Sequence, residues 1–407
     1  MTDNPETTTD QKIDKVLTHP IWGLFSFIFI VWFLFYCTFT LGSYPQAWIE
    51  NGMQHLIIII KGNLQNNWIR EFLCNGLVMG LGSVLAFLPN ILILFFFISL
   101  MQETEYLPRA ATIMDKYMHR IGLHGSSFIP LLMGFGCNVP AIMATRTIER
   151  KSDRILTMMM IPYIPCSARI PTFLLLCGIF FHENQVMAML LLYLGGIIIG
   201  IVVALIFKRV LFNKISEDYV IELPPYRRPS FKLVTNSMLS AAWQYLKKIG
   251  TVVLLAVIIV WVLDYFPLKE KRAPLERSYL EQMGETVEPI MRPLGFDWKM
   301  SVSLITGITA KEFIVSTLGV VFQADEGKAH NKASLVERIK SEGTFNKSNA
   351  LSFMIFALLY MPCVATAITI KKESGKWKWA LLSMASTLIV AWICSFSAFK
   401  AGMMIWG

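Results

Sequence analysis

The chain has 407 residues, of which 55% are apolar and only 16% charged, a balance that leaves a water-soluble domain too little polar surface to cover itself. Its formal charge of +9 is compatible with nucleic acid, but the basic residues sit in short stretches beside apolar runs, as positive-inside bias distributes them. Nucleic-acid binding and a soluble enzyme are set aside, and an all-α polytopic membrane protein is expected.

Residues 1–18 are polar and Thr-rich and are expected to be disordered, on the cytoplasmic side because Lys12 and Lys15 precede the first apolar run. That run, Pro20 to Leu41, is too long for a signal-peptide core and lacks a small-residue cleavage site, so it reads as a membrane helix. Ser43 to Glu71, with Trp48, Ile57 to Ile60 and Trp68, is expected to lie partly along the outer interface, completing a first block at 19–71.

A first repeat is read over 72–207. It opens with an apolar stretch from Phe72 to Tyr106, expected to kink near Pro89, in which Gly76, Gly80 and Gly82 allow close helix approach. Basic stretches with Arg109, Lys116 and Arg120, and with Arg146, Arg150, Lys151 and Arg154, flank Phe128 to Thr145. If both stretches face the cytoplasm, the segment between them is re-entrant; otherwise it spans and one basic loop faces outward. Ile155 to Phe181 then crosses outward and Val186 to Phe207 returns.

Residues 208–248, with Pro224, Pro225, Arg227 and Arg228, form the expected cytoplasmic connector. A second repeat occupies 249–399. In it Thr251 to Phe266 crosses outward, Met300 to Val321 re-enters from outside, and an amphipathic helix surrounds Leu335, Val336 and Ile339. Leu351 to Ile370 and Trp379 to Phe399 cross last, leaving a tail at 400–407. The expectation is about seven full spans and two half-spans, or up to nine spans if the broken segments cross.

Four short motifs carry this reading. MGFGCNVPAIMATRT begins at Met133, IPYIPCSARIPTF begins at Ile161, SLITGITAKEFIVSTLG begins at Ser303, and LYMPCVATAIT begins at Leu359. Gly134, Gly136, Pro140, Pro165, Pro171, Gly307 and Pro362 are residues that interrupt helices. Lipid cannot satisfy a broken backbone, so such breaks are expected where they line a buried route, and paired breaks in two halves mark an inverted-repeat transporter.

Three of the seven cysteines, Cys137, Cys166 and Cys363, stand at these breaks. Thiolates suit ferrous iron, copper(I) and zinc, whereas magnesium and calcium want oxygen. Asn138 and Glu312 add oxygen donors. The other four cysteines, Cys37, Cys74, Cys177 and Cys394, read as small buried hydrophobes, with no disulfide framework. The six histidines, His119 and His124 among them, all fall at span ends or in loops, which disfavours a His-rich path at membrane depth.

Arg169, near the middle of its helix, reads either as gating or as half of an ion pair with Glu312, while Lys311 is expected to snorkel toward an interface. No nucleotide-binding P-loop is present: the two Gly-Lys pairs, at Gly327 and Gly375, are followed by Ala329 and Trp377. No hydrolytic motif is seen either, and no permanently bound cofactor is expected.

The strings GFGCNVPAIMATRTIE at Gly134, PCSARIP at Pro165, TGITAKEFIVSTLG at Thr306 and YMPCVATAI at Tyr360 closely resemble the membrane region of the ferrous iron transport protein B family, from about Lys15 almost to the C-terminus. The resemblance implies two gate regions and Fe(II) uptake across a bacterial cytoplasmic membrane, with Cys137, Cys166 and Cys363 as metal-path residues. It also implies a GTP-binding domain, which these residues lack. The GTPase is therefore expected either as a separate polypeptide or in a part of the protein beyond this membrane half. Small cytoplasmic accessory proteins and a homo-oligomer are further expected partners. Two other readings stay open: a gate-type carrier of nucleosides or other small solutes using Asn138, Ser167 and Glu312, and a membrane receptor for a GTPase using the basic stretch from Asn213 to Lys248.

Overall fold

The computed structural model describes residues 22–63, 67–78, 88–211, 227–248, 254–266, 278–323 and 345–406, with a few single positions between them. Among these residues there is no strand. The helices are α1 (Trp22–Asn63), α2 (Leu88–Glu103), α3 (Tyr106–Ile121), α4 (Phe128–Gly134), α5 (Asn138–Ala144), α6 (Lys151–Met160), α7 (Ile170–Phe180) and α8 (Gln185–Leu211). They continue as α9 (Phe231–Lys248), α10 (Leu254–Tyr265), α11 (Tyr279–Met291), α12 (Trp298–Thr306), α13 (Phe313–Gln323), α14 (Lys347–Leu359), α15 (Val364–Ser374) and α16 (Trp377–Trp406).

The chain is a multi-span, all-α membrane protein. By length and composition, α1, the stretch from Lys151 to Phe180, the stretch from His182 to Leu211, the stretch from Lys347 to Ser374 and α16 can each cross a bilayer. The bent pair α2 and α3 makes a sixth candidate. The expected amphipathic helix near Leu335 lies largely outside the described residues, as do residues 1–13 of the N-terminal tail.

One local expectation is corrected. The first helix does not stop at Leu41: α1 runs on for 42 residues with Pro45 inside it. At 1.5 Å per residue it is about 63 Å long, twice a hydrocarbon core. One proline removes one donor, and Gln46 to Asn63 holds enough helix formers to continue. The kink expected near Pro89 falls where α2 begins, and most of residues 79–87 before it lie outside the described residues. Pro89 sits in the first turn of α2, where a missing N–H costs nothing. The chain turns by 85° between α2 and α3, at Glu105, whose φ of 56° is left-handed.

The helices fall into two compact units, which interleave along the sequence. The first comprises residues 1–65, 82–161 and 201–251. In it α2 packs on both α1 and α9. Gly42 makes the α1 contact close, because a Cβ there would stand 1.8 Å from the Asn90 Oδ1, and the Asn90 amide donates to Gln46 at 3.0 Å. Arg109 on α3 is buried and pairs with Asp14 at 2.7 Å. The outer face of α1 exposes Trp22, Phe25, Phe29 and Trp32, as suits lipid.

The second unit comprises residues 66–81, 162–200 and 252–407. Its core is α14, packed along α16, where the buried Ser352 hydroxyl donates to the carbonyls of Leu294 at 3.0 Å and Ser395 at 3.1 Å. Phe296 stacks edge-on against Phe353 and Phe356, and Cys177 lies 3.5 Å from the sulfur of Met354.

Asp297 caps α12, its carboxylate accepting the Met300 N–H at 2.8 Å. Burial holds this loop carboxyl above its ordinary value of 3.8, and the amide donor offsets only part of that. The native state thus keeps a proton that the unfolded chain releases, so stability falls as pH rises upward from about 3.8. Asp297→Asn keeps an acceptor without the charge and is expected to flatten the fall of the thermal midpoint as pH rises above about 3.8. Asp297→Ala is expected to lose about 1 kcal/mol from the missing cap at low pH, where the native carboxyl is protonated, and likewise to flatten the pH dependence.

Candidate functional site

Four pairs of short helices are interrupted in the same manner. Phe135 to Cys137 separates α4 from α5, and residues 161–169 separate α6 from α7. Residues 307–312 separate α12 from α13, and Tyr360 to Cys363 separates α14 from α15. The residues expected to break helices divide into two kinds. Gly134 ends α4, Gly136, Pro165 and Pro362 lie in gaps, and Gly307 follows α12. Pro140 and Pro171, by contrast, occupy the first turns of α5 and α7, where proline is tolerated.

All three candidate cysteines hold one backbone position. Cys137 (φ −151°, ψ 129°), Cys166 (φ −83°, ψ 160°) and Cys363 (φ −60°, ψ 154°) are each the extended residue immediately before a helical segment. None of their side chains caps that segment's backbone. Serine, threonine, aspartate or asparagine would cap better there, so cysteine is a choice that helix stability does not explain.

Cys137 and Asn138 belong to the first unit. The break around them leaves no amide stranded, since Gly136 and Cys137 both donate to the Met133 carbonyl, at 3.0 and 3.1 Å. It is pressed against α2, because a Cβ on Gly136 would stand 2.1 Å from Leu94 Cδ2. Asn138 is buried, and its Oδ1 has no hydrogen-bond partner among the described residues.

The second unit brings together Cys166, Arg169, Lys311, Glu312 and Cys363, five residues scattered over nearly two hundred positions. Arg169, Lys311, Glu312 and Cys363 all lie within electrostatic range of Cys166. Arg169 is fully buried and donates to the Leu358 carbonyl and, at 3.4 Å, to the Pro162 carbonyl. Leu358 is in the last turn of α14, where carbonyls lack a helical partner. The expected Arg169–Glu312 ion pair is not formed: the guanidinium serves broken backbone instead.

Lys311 departs further from expectation. It does not snorkel; it is 3% exposed, donates to the Met361 carbonyl at 2.6 Å, and stands 3.1 Å from the centre of the Tyr360 ring. The Val364 N–H reaches the Ile308 carbonyl at 3.1 Å. Two breaks, 307–312 and 360–363, therefore satisfy one another through a lysine, a ring face and a main-chain bond. Glu312 is half-buried beside them.

Tyr360 was not singled out in the sequence. Its hydroxyl is buried, has no hydrogen-bond partner among the described residues, and points at Gly307, where a Cβ would come within 2.4 Å of it. A tyrosine next to a Pro-Cys break was the available signal. Cys166, Cys363, Glu312 and Arg169 are all within electrostatic range of it. The second unit therefore offers two sulfurs, a carboxylate and a phenol around mutually satisfied backbone, a mixed soft and hard donor set suited to a borderline divalent cation.

Two family models match the chain. One, described as gate, nucleoside recognition, matches residues 84–180 and 246–377; the other, ferrous iron transport protein B C terminus, matches residues 189–240. A Porphyromonas gingivalis protein named Fe(2+) transport protein A/Fe(2+) transporter FeoB fusion protein is 43% identical over 98% of this chain and 52% of its own length. Proteins named Fe(2+) transporter FeoB from Campylobacter jejuni and Methanocaldococcus jannaschii are 40% and 35% identical, over 96% and 95% of this chain and 65% and 58% of their own lengths. The chain thus spans between about half and two thirds of each of these relatives. No solved structure matches. With both gate segments matched over more than half of its residues, the chain belongs to the gate family, and it is similar to part of the proteins named Fe(2+) transporter FeoB.

Proposed function

We propose that the chain is a ferrous iron permease of the bacterial cytoplasmic membrane, passing Fe(II) along the cysteines at its broken helices. The observation that carries this is the gathering, in the second unit, of Cys166 and Cys363 with Glu312 and the Tyr360 hydroxyl. Cys137 and Asn138 offer a similar sulfur and carbonyl pair in the first unit. Softness selects against magnesium and calcium, and exchange among a few weak donors lets the ion leave. Arg169 and Lys311 act on the backbone around this route as its fixed frame, and any gating works through their carbonyl partners.

The relatives' names support Fe(II) as cargo, and the fused transport protein A of the P. gingivalis relative supports a small accessory partner. GTP hydrolysis is assigned to a domain or protein outside these 407 residues, and assembly into a homo-oligomer is part of the same proposal. One observation favours a second reading: the gate model that covers most of the chain is described as nucleoside recognition. A nucleoside would be held by polar groups such as Ser167 and Glu312 of the second unit rather than by sulfur.

Proteoliposomes of the purified chain, assayed with radiolabelled Fe(II), separate the two. Cys166→Ser with Cys363→Ser is expected to reduce uptake at least about tenfold while excess nucleoside leaves wild-type uptake unchanged. Undiminished uptake in the well-folded double variant removes these thiols from the route, and competition by nucleoside supports the second reading. Arg169→Gln is expected to act differently from the cysteine changes. Two buried carbonyls lose their donor, so the thermal midpoint drops, by about 1–3 kcal/mol of stability for each unsatisfied group, along with uptake.

A further inference from the structure

Away from the cysteines, the first unit folds two histidines and two aspartates together at the end of α3. Asp115 and His119 are four residues apart on that helix and so share a face, with the His119 Nδ1 3.2 Å from the Asp115 Oδ2. The helix stops at Gly122, whose φ of 78° is left-handed, and the Leu123 N–H closes back on the Met118 carbonyl at 3.0 Å. That turn carries His124 back over the helix, its ring centre 4.8 Å from that of His119.

The returning chain is held in place. Gly125 donates its N–H to the Asp115 Oδ1 at 2.7 Å, and only glycine fits there, because a Cβ would come within 2.3 Å of the Ala111 carbonyl oxygen. One ligand atom from each of Asp115, His119 and His124 lies within 4.8 Å of the others. Asp153, on α6, places its Oδ2 3.7 Å from the His124 Nε2.

We propose that Asp115, His119 and His124 form a site for a divalent transition-metal ion, of the two-imidazole, one-carboxylate class. Donors bound to one ion at about 2.1 Å stand roughly 3–4 Å apart, so the cluster closes around a metal with a small movement. His119 supplies that movement, since its side chain is 43% exposed, while Asp115 is fixed by Gly125 and His124 is buried. Imidazole with carboxylate suits Fe(II), cobalt, nickel or zinc and gives no advantage to magnesium or calcium. Asp153, whose Oδ2 faces the same His124 Nε2, adds a carboxylate beside the site.

The neighbouring charges set the strength of the site. The Arg150 Nη1 stands 2.5 Å from the His124 Nε2 and 3.9 Å from the Asp153 Oδ2. A metal taking His124 through that nitrogen moves the guanidinium onto Asp153, already its neighbour. Lys208 lies against Gly122 on the same face. Two cations this close weaken a divalent ion's hold, giving a site that takes up and releases rather than one that stores. It shares no residue with the cysteine route and stands whichever solute the chain carries.

The test uses the full chain in lipid nanodiscs, freed of metal and titrated with Co(II) by equilibrium dialysis and visible absorption. Four proteins are compared: wild type, His119→Ala, Asp115→Asn, and Cys166→Ser with Cys363→Ser. The site is expected to appear as a Co(II) ion with nitrogen and oxygen ligation that survives the cysteine changes. His119→Ala and Asp115→Asn are each expected to weaken it at least about tenfold. His119→Glu, which restores a donor at an exposed position, is expected to recover part of the affinity. Thermal unfolding of His119→Ala at the wild-type midpoint establishes that the loss is not one of folding. Unchanged affinity and stoichiometry in His119→Ala overturn the proposal. So does Co(II) binding that vanishes only with the cysteines, an outcome that leaves the Fe(II) route intact.

Discussion

A helix that stops at membrane depth frees amides and carbonyls that lipid cannot satisfy, and the whole second unit is arranged around that debt of hydrogen bonds. The Arg169 guanidinium covers carbonyls at the ends of two half-helices, those of Leu358 and Pro162. Lys311 covers Met361, and the Ile308 carbonyl takes the Val364 amide. Burying two cations is costly unless each meets oxygen, and here backbone carbonyls, rather than a carboxylate, meet both. Neither cation thereby occupies Glu312 or the thiols, the Cys363 sulfur lies 3.0 Å from the Thr366 hydroxyl, and the Tyr360 hydroxyl has no partner among the described residues.

This division of labour explains why cysteine is found where a capping residue belongs. A serine at position 166 or 363 would bind the free amides of the following helix and stabilise it by about 1 kcal/mol. A thiol does this poorly, and neither sulfur caps the helix that follows it; the Cys363 sulfur instead meets the Thr366 hydroxyl. At Gly136 in the first unit and Gly307 in the second there is no room for a Cβ, so backbone and neighbour approach closely within each unit. The fixed parts of the unit are its cations and carbonyls, and the exchangeable parts are its sulfurs and oxygens.

The histidines follow a different logic. By sequence they fall at span ends or in loops, although the structure carries α1 on through His55 and places His119 in the last turn of α3. At the end of α3 a left-handed glycine folds a four-residue return and sets His124 over His119. A cation site there is built from one helix face and one turn, and it needs no break in a span.

Composition and spacing alone determined that the chain is helical and crosses a bilayer repeatedly, and where its helices are interrupted, because hydropathy and the Gly and Pro positions act locally. They also picked out Cys137, Cys166 and Cys363, since a soft side chain beside a break is visible in a dozen residues. Partners were not visible. That Arg169 would serve Leu358 and not Glu312, that Lys311 would be buried over Tyr360 rather than reach an interface, and that Tyr360 would aim its hydroxyl at Gly307 each depend on residues far away in the sequence. Nor did the pattern reveal that α1 would continue past Pro45 or that the chain would bend at Glu105. Those outcomes are decided by packing, because whether a lost hydrogen bond or a left-handed residue is tolerated depends on what surrounds it.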